Sequence, residues 1–154
     1  VSQPYILVDE KLFDIAAETD ALYQDNPTDG AVVTFIGLVR DFNQGKNIKQ
    51  LTLEHYPAMT QKVLADIVEQ ANQQWSLGRV RVIHRVGDLA INDPIVFVGV
   101  SAMHRADAFM AAQFIMDLLK TQAPFWKKEQ SKEGEHWVEA RASDQTAAQK
   151  WLAK

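Results

Sequence analysis

Cysteine is absent from the 154 residues of this chain. Its absence removes disulfides, thiolate metal sites and a cysteine nucleophile together, so any sulfur chemistry must use sulfur carried in by another molecule. Glycine is sparse. The seven glycines form no phosphate-binding loop, no dinucleotide fingerprint and no Gly-x-Ser-x-Gly elbow, which disfavours nucleotide hydrolysis and serine hydrolase chemistry. Long apolar runs are missing too. The longest, 31–39 and 95–100, fall far short of the roughly 20 residues of a membrane-spanning helix and read as buried strands. His55, His84, His104 and His136 lack close ligand spacing, so no metal site is expected. The opening VSQPYILVDE has no basic start and apolar signal region, and the only Asn-x-Thr triplet, at 26–28, carries Pro27. A cytoplasmic location is the expectation.

Positive charge is in deficit overall, with a formal net charge of -4. That argues against a general nucleic-acid binder and gives local clusters of cations more meaning. Hydrophobic residues at 47% and charged residues at 23% are ordinary globular values, and residues 1–154 are expected to form one domain with one core. Pattern and punctuation predict the order strand, helix, strand, strand, helix, strand, strand, helix, strand, strand, helix. This indicates an α+β fold, with helices on a mixed, largely antiparallel sheet. Asp14 is the expected N-cap of the first helix. The run 31–39 is expected in the middle of a sheet, 41–47 as a loop, and 48–56 as a strand with Leu51, Leu53 and His55 on one face. Pro57 opens a helix whose stripe is Val63, Leu64, Ile67, Val68, Ala71 and Trp75, with Gly78 as its stop. Strands at 79–86 and 95–100 follow, joined by a link at 87–94. After Lys128 a hairpin is expected, turning at 131–135 and returning over 136–141, and then a helix capped by Ser143.

The most informative stretch is QFIMDLLKTQAPFWKK, 113–128. Ala108, Phe109, Ala112, Ile115, Met116 and Leu119 recur at helical spacing, which predicts a buried face on a helix from Arg105 to about Gln122. Pro124 then breaks the chain. Lys120 before the break and Lys127 and Lys128 after it put three ammonium groups at one corner. Two readings are open: a solvated helix end and strand edge, or the wall of an anion pocket. Arg40, His104 and Arg105 stand at strand or helix ends, and with the lysines they suit a phosphate or carboxylate combined with proton transfer. Met116, one turn before Lys120, is first a core residue that also touches the pocket wall.

GAVVTFIGLVR, LTLEHYP, GRVRVIHRVG, FVGVSAMHR, QFIMDLLKTQAPFWKKE and WVEARASDQ together resemble the family of molybdopterin synthase catalytic, or large, subunits. The resemblance covers nearly the whole chain. It implies an α/β-hammerhead topology and a sulfurtransferase that converts cyclic pyranopterin monophosphate into molybdopterin by installing a dithiolene. Two sulfurs would arrive as a thiocarboxylate on the C-terminal Gly-Gly of a small ubiquitin-like partner, with no tightly bound cofactor. A central dimer of large subunits with a small subunit at each end is also implied. Carried over by residue, Lys120 and Lys127 match the essential lysines, and Arg40, His104, Arg105 and Arg141 match positions that hold phosphate and pterin. Lys128 and Glu129 adjoin the same wall, and Arg141 is assigned to the neighbouring copy's pocket. Leu38 replaces a lysine found in some relatives before Val39 and Arg40, so contact there would come from backbone. The competing reading is a non-catalytic α+β module that binds an anionic metabolite or a protein.

Overall fold

The computed structural model describes residues 3–40, 42–43, 46–131, 134–138 and 142–152. Its elements are β1 (Tyr5–Asp9), α1 (Ile15–Tyr23), β2 (Ala31–Leu38), β3 (Phe42–Asn43), β4 (Lys46–His55), α2 (Pro57–Gln74), β5 (Leu77–Arg85), β6 (Gly87–Ala90), β7 (Pro94–Ala102), α3 (Arg105–Gln122), β8 (Phe125–Ser131), β9 (Gly134–Val138) and α4 (Ala142–Leu152). The expected α+β class with largely antiparallel pairing is what forms, but as two sheets. One has the order β1-β5-β7-β2, with only β1 and β5 parallel. The other has the order β3-β4-β8-β9, with β6 also paired to β4.

Each sheet exists because its strands have an apolar face to cover. The main core lies between the first sheet and α2 and α3. It takes Leu64, Ile67 and Val68 from α2, Val82 from β5, Val98 and Val100 from β7, and Ala111, Phe114, Ile115 and Leu118 from α3. Trp75, Phe114 and Trp151 meet edge to face, with centroids 5.3–5.7 Å apart, and tie α2, α3 and α4 together; such pairs contribute about 0.5–1.5 kcal/mol each beyond area burial. On the opposite face of the first sheet, Leu22 of α1 packs with Ile83 and Phe97. The α1 N-cap is as expected, the Asp14 carboxylate accepting from the Ala17 N–H at 3.1 Å. A separate core of Val39, Leu51, Leu53, Val86 and Leu89 supports the second sheet.

Several expectations are corrected. The run 31–39 is an edge strand, since β2 pairs only with β7 in the first sheet, and Phe35 and Leu38 are exposed; the central position goes to β7, buried from Val96 to Ala102. Within 41–47, the described parts hold a short β3 and the start of β4. The link at 87–94 contains β6. Gly78 does not stop α2, which ends at Gln74 with Trp75 as C-cap. It lies inside β5, where a Cβ would collide with the Asp29 carboxylate and the Ser101 hydroxyl, two groups already hydrogen-bonded to each other at 2.7 Å. Phe109 is 60% exposed while Phe114 enters the core, because α3 turns its Phe114 and Leu118 side toward α2. Ser143 falls inside α4, one residue after its first, so it is no cap. The return strand β9 begins earlier than expected, at Gly134.

Candidate functional site

The 18-residue α3 carries Lys120 in its last turn, and the Ala123 N–H closes the helix on the Leu119 carbonyl at 3.2 Å. Pro124 forces the chain to leave. The Phe125 N–H returns to the Ala123 carbonyl at 2.9 Å, so the corner is tight and β8 starts at once. Along β8, Phe125 lies opposite His55 of β4, and Lys127 opposite Leu53 and, on the other side, Val138 of β9. Because side chains alternate along a strand, Phe125 and Lys127 share one face and Trp126 and Lys128 the other.

Beneath the first of these faces is a histidine cluster that sequence spacing did not single out. The His84 ring is 6% exposed and stacks on Phe125, with centroids 4.0 Å apart and planes 19° from parallel. Its Nδ1 is 2.8 Å from the Arg85 carbonyl; a carbonyl only accepts, so Nδ1 carries the proton and Nε2 the lone pair. His55 packs against Phe125 at 6.1 Å. Its Nδ1 is 3.3 Å from the Thr60 hydroxyl, which itself donates to the Tyr56 carbonyl at 2.8 Å, so His55 Nδ1 is the donor in that contact. Burial pushes His84 down from 6.5 to about 3; the Arg85 carbonyl opposes this, and the positive charges of Lys120, Lys127 and His55 add to it. His84 is therefore neutral at any physiological pH. Lys120 and Lys127, from either side of Pro124, thus both bear on this one ring, Lys120 itself being exposed and Lys127 half-buried. The corner around Pro124 is a lysine pair backed by a buried, uncharged imidazole and an aromatic ring.

The remaining candidates separate from that pair. Lys128 is on the opposite face of β8, in an ion pair with Glu135 at 3.1 Å and over the Trp137 ring at 5.5 Å. Val39 is buried in the second core, with its backbone bonded to Asp93 and Asn92; Leu38 and Arg40 beside it are exposed. Met116 is a core residue, 8% exposed. His104 and Arg105 are exposed at the start of α3, His104 making no side-chain cap. From Arg105 to Lys120 a helix rising 1.5 Å per residue covers roughly 22 Å, so one chain holds these cations at opposite ends of a rod. Arg141 and the side chain of Glu129 lie outside the described residues. Among the described residues no group of three or more metal-ligating side chains occurs. A cleft lined by Tyr5, Arg79 and Arg81 lies at the far edge of the first sheet, where the Arg79 guanidinium is engaged by the carbonyls of Ala21, Gln24 and Asp25.

The missed residues had a faint signal. His55 ends the alternation Leu51, Leu53, His55, and His84 ends Val80, Val82, His84, so each was legible as an inward-facing position. The pairing of β4 with β8 brings His55 opposite Phe125, and stacking against Phe125 brings in His84 from β5 of the other sheet; periodicity reports neither.

Comparison with known proteins gives a consistent result. The profile described as "MoaE protein" matches residues 8–122. The chain is 54% identical over 151 residues to the "Molybdopterin synthase catalytic subunit" of Escherichia coli K12, covering 98% of this chain and all of that one. Among solved structures it is similar to a molybdopterin biosynthesis MoaE protein from Burkholderia ambifaria, with a TM-score of 0.84, 43% identity and coverage of 99% and 100%. It is also similar to a molybdopterin synthase structure from Staphylococcus aureus, with a TM-score of 0.80, 32% identity and coverage of 86% and 95%. With Lys120 at the end of α3, Lys127 in β8, no cysteine, and a match across most of its length, this chain belongs to the MoaE family.

Proposed function

We propose that this chain acts as the catalytic subunit of a molybdopterin synthase, moving two sulfurs from a partner's C-terminal thiocarboxylate to cyclic pyranopterin monophosphate to form the dithiolene of molybdopterin. The observation that carries the reading is that the exposed Lys120 and the half-buried Lys127, on either side of Pro124, both bear on the buried His84 ring. The absence of cysteine fits a protein whose sulfur comes from outside, from a small ubiquitin-like carrier ending in Gly-Gly. The "catalytic subunit" in the relatives' name fits an enzyme with a second kind of subunit. We place the enzyme in the cytoplasm; among the described residues no helix is long and apolar enough to cross a membrane.

In this reading Lys120 is the residue that forms an adduct or moves a proton at the reacting carbon, and Lys127 stabilises charge beside it. His104 and Arg105 bind phosphate and pterin. The length of α3 keeps them from Lys120 in their own chain, so we assign them to the pocket of a second copy, with Arg40 completing the anion contacts at the exposed end of β2. Arg141 was given that cross-dimer role on resemblance; the roughly 22 Å along α3 is the stronger ground and points to His104 and Arg105. The test is reconstitution: purified chain with thiocarboxylated partner and precursor yields molybdopterin, and omission of the partner yields none. Product without the partner, or none with it, contradicts the proposal.

A further inference from the structure

Among the described residues His84 is the buried imidazole at the lysine corner, and two of its sides are fully committed. Its Nδ1–H is held by the Arg85 carbonyl and one ring face by Phe125. Its backbone is fixed between β1 and β7, opposite Val8 and Val96. A ring so restrained cannot rotate to suit its surroundings, so its remaining polar atom, Nε2, points in one direction. Among the described residues no buried side-chain nitrogen or oxygen is stranded without a partner. The charged groups that bear on this ring are Lys120 from α3, Lys127 from β8 and His55 from β4. Arg85, next in its own strand, turns its guanidinium to the Glu10 and Pro94 carbonyls and Asp93.

We propose that His84 is a positioning residue for the lysine pair, its Nε2 lone pair being the fixed acceptor around which the Lys120 and Lys127 amines are arranged. An acceptor that stays neutral is the chemistry this place needs. A carboxylate would bind an ammonium tightly and hold its proton, whereas a protonated imidazole would repel both lysines. A neutral nitrogen orients an amine through one N–H and leaves the others, or the lone pair of the deprotonated amine, facing the substrate. Phe125 supports this by stacking, and its place two residues before Lys127 in β8 couples ring position to lysine position. This deepens the sulfur-transfer reading and rests on it for the catalytic part alone.

The experiment has two arms. In protein labelled with 15N-histidine, His84 is expected to show the Nδ1–H tautomer, and its Nε2 resonance to move when Lys120→Met or Lys127→Met removes an amine. This arm needs no turnover, so it stands even if the enzymatic reading fails. In reconstituted assays, His84→Phe keeps the ring and its stack but deletes the acceptor. It also removes the Nδ1–H that the Arg85 carbonyl holds, so some loss of thermal stability is expected, and it is expected to lower kcat about a hundredfold, as a displaced catalytic group does, with KM for the precursor nearly unchanged. His84→Gln, whose side-chain oxygen can occupy the Nε2 position, is expected to recover most of the loss. An Nε2 resonance indifferent to both lysine variants overturns the proposal. So does a His84→Phe protein with wild-type kcat, or a His84→Gln protein no better than His84→Phe.

Discussion

The two ends of α3 are built to different plans. At the C-terminal end Lys120 is itself exposed but projects from a helix whose preceding turns are buried, and with Lys127 it bears electrostatically on the buried His84 ring, which stacks on Phe125 just past Pro124. At the N-terminal end His104 and Arg105 are exposed, next to Met103 and Phe109, which are each 60% exposed. One end has its cations arranged by neighbours from three strands. The other leaves cations and apolar side chains exposed. The difference teaches that one helix holds its cations in two unlike settings, a lysine beside a buried imidazole at one end and solvent-facing cations at the other; in the proposed function the first is the reaction corner and the second binds anions for another copy.

The comparison is broken most severely at Lys120. Lys120→Ala is expected to lower kcat by about 10²–10⁴-fold, the range for losing a proton-transferring group, with the circular dichroism spectrum unchanged. Lys120→Arg should fail nearly as badly, because arginine keeps charge but neither deprotonates nor fits the same geometry; full activity in the arginine protein would favour a site that only binds anions. A stability signature comes next. His84 is held near 3 in the folded protein against 6.5 when unfolded, so the unfolded chain binds the extra proton between those values. Stability from this burial is complete above pH 6.5 and drains away as pH falls toward 3, by several kcal/mol at full extent. Denaturant titrations from pH 7 to 4 should show a steeper loss in the wild type than in His84→Phe. At the other end, Arg105→Ala or His104→Ala should cost about 10- to 100-fold, mainly in KM for the precursor, as for a lost charge-assisted hydrogen bond. The smallest effect is expected at Lys128→Ala, whose ion pair with Glu135 is on the far face of β8 and contributes about 0–1 kcal/mol. Less than a threefold change in kcat/KM is the expected reading.

Much of this is legible in the sequence. Helical spacing and Pro124 bounded α3 correctly and put Lys120 at its end, and the apolar stripe of α2 packs as its spacing implies. Periodicity reports that a face is apolar, however, and does not say what covers it. That is why β2 was misplaced in the sheet interior and Phe109 in the core. Gly78 failed for another reason: glycine serves both as a helix stop and as room for a neighbour, and here Asp29 and Ser101 take the space. The division of the cations follows from one number the sequence already contains, the separation of fifteen positions from Arg105 to Lys120. The inward turn of His84 required the pairing of strands distant in sequence, and it stayed hidden until β5, β4 and β8 were in place.

The separation of the two ends can be tested in mixed dimers. Differently tagged Lys120→Ala and Arg105→Ala chains would be co-expressed, and the doubly tagged dimer isolated and assayed with thiocarboxylated partner at precursor concentrations below the wild-type KM, where both parents are strongly impaired. If each pocket takes Lys120 from one copy and Arg105 from the other, one pocket carries both defects and the second is intact, so activity returns to about half that of the wild-type dimer. A mixed dimer as inactive as its parents would mean that both residues serve the pocket of their own chain, and it would contradict the account.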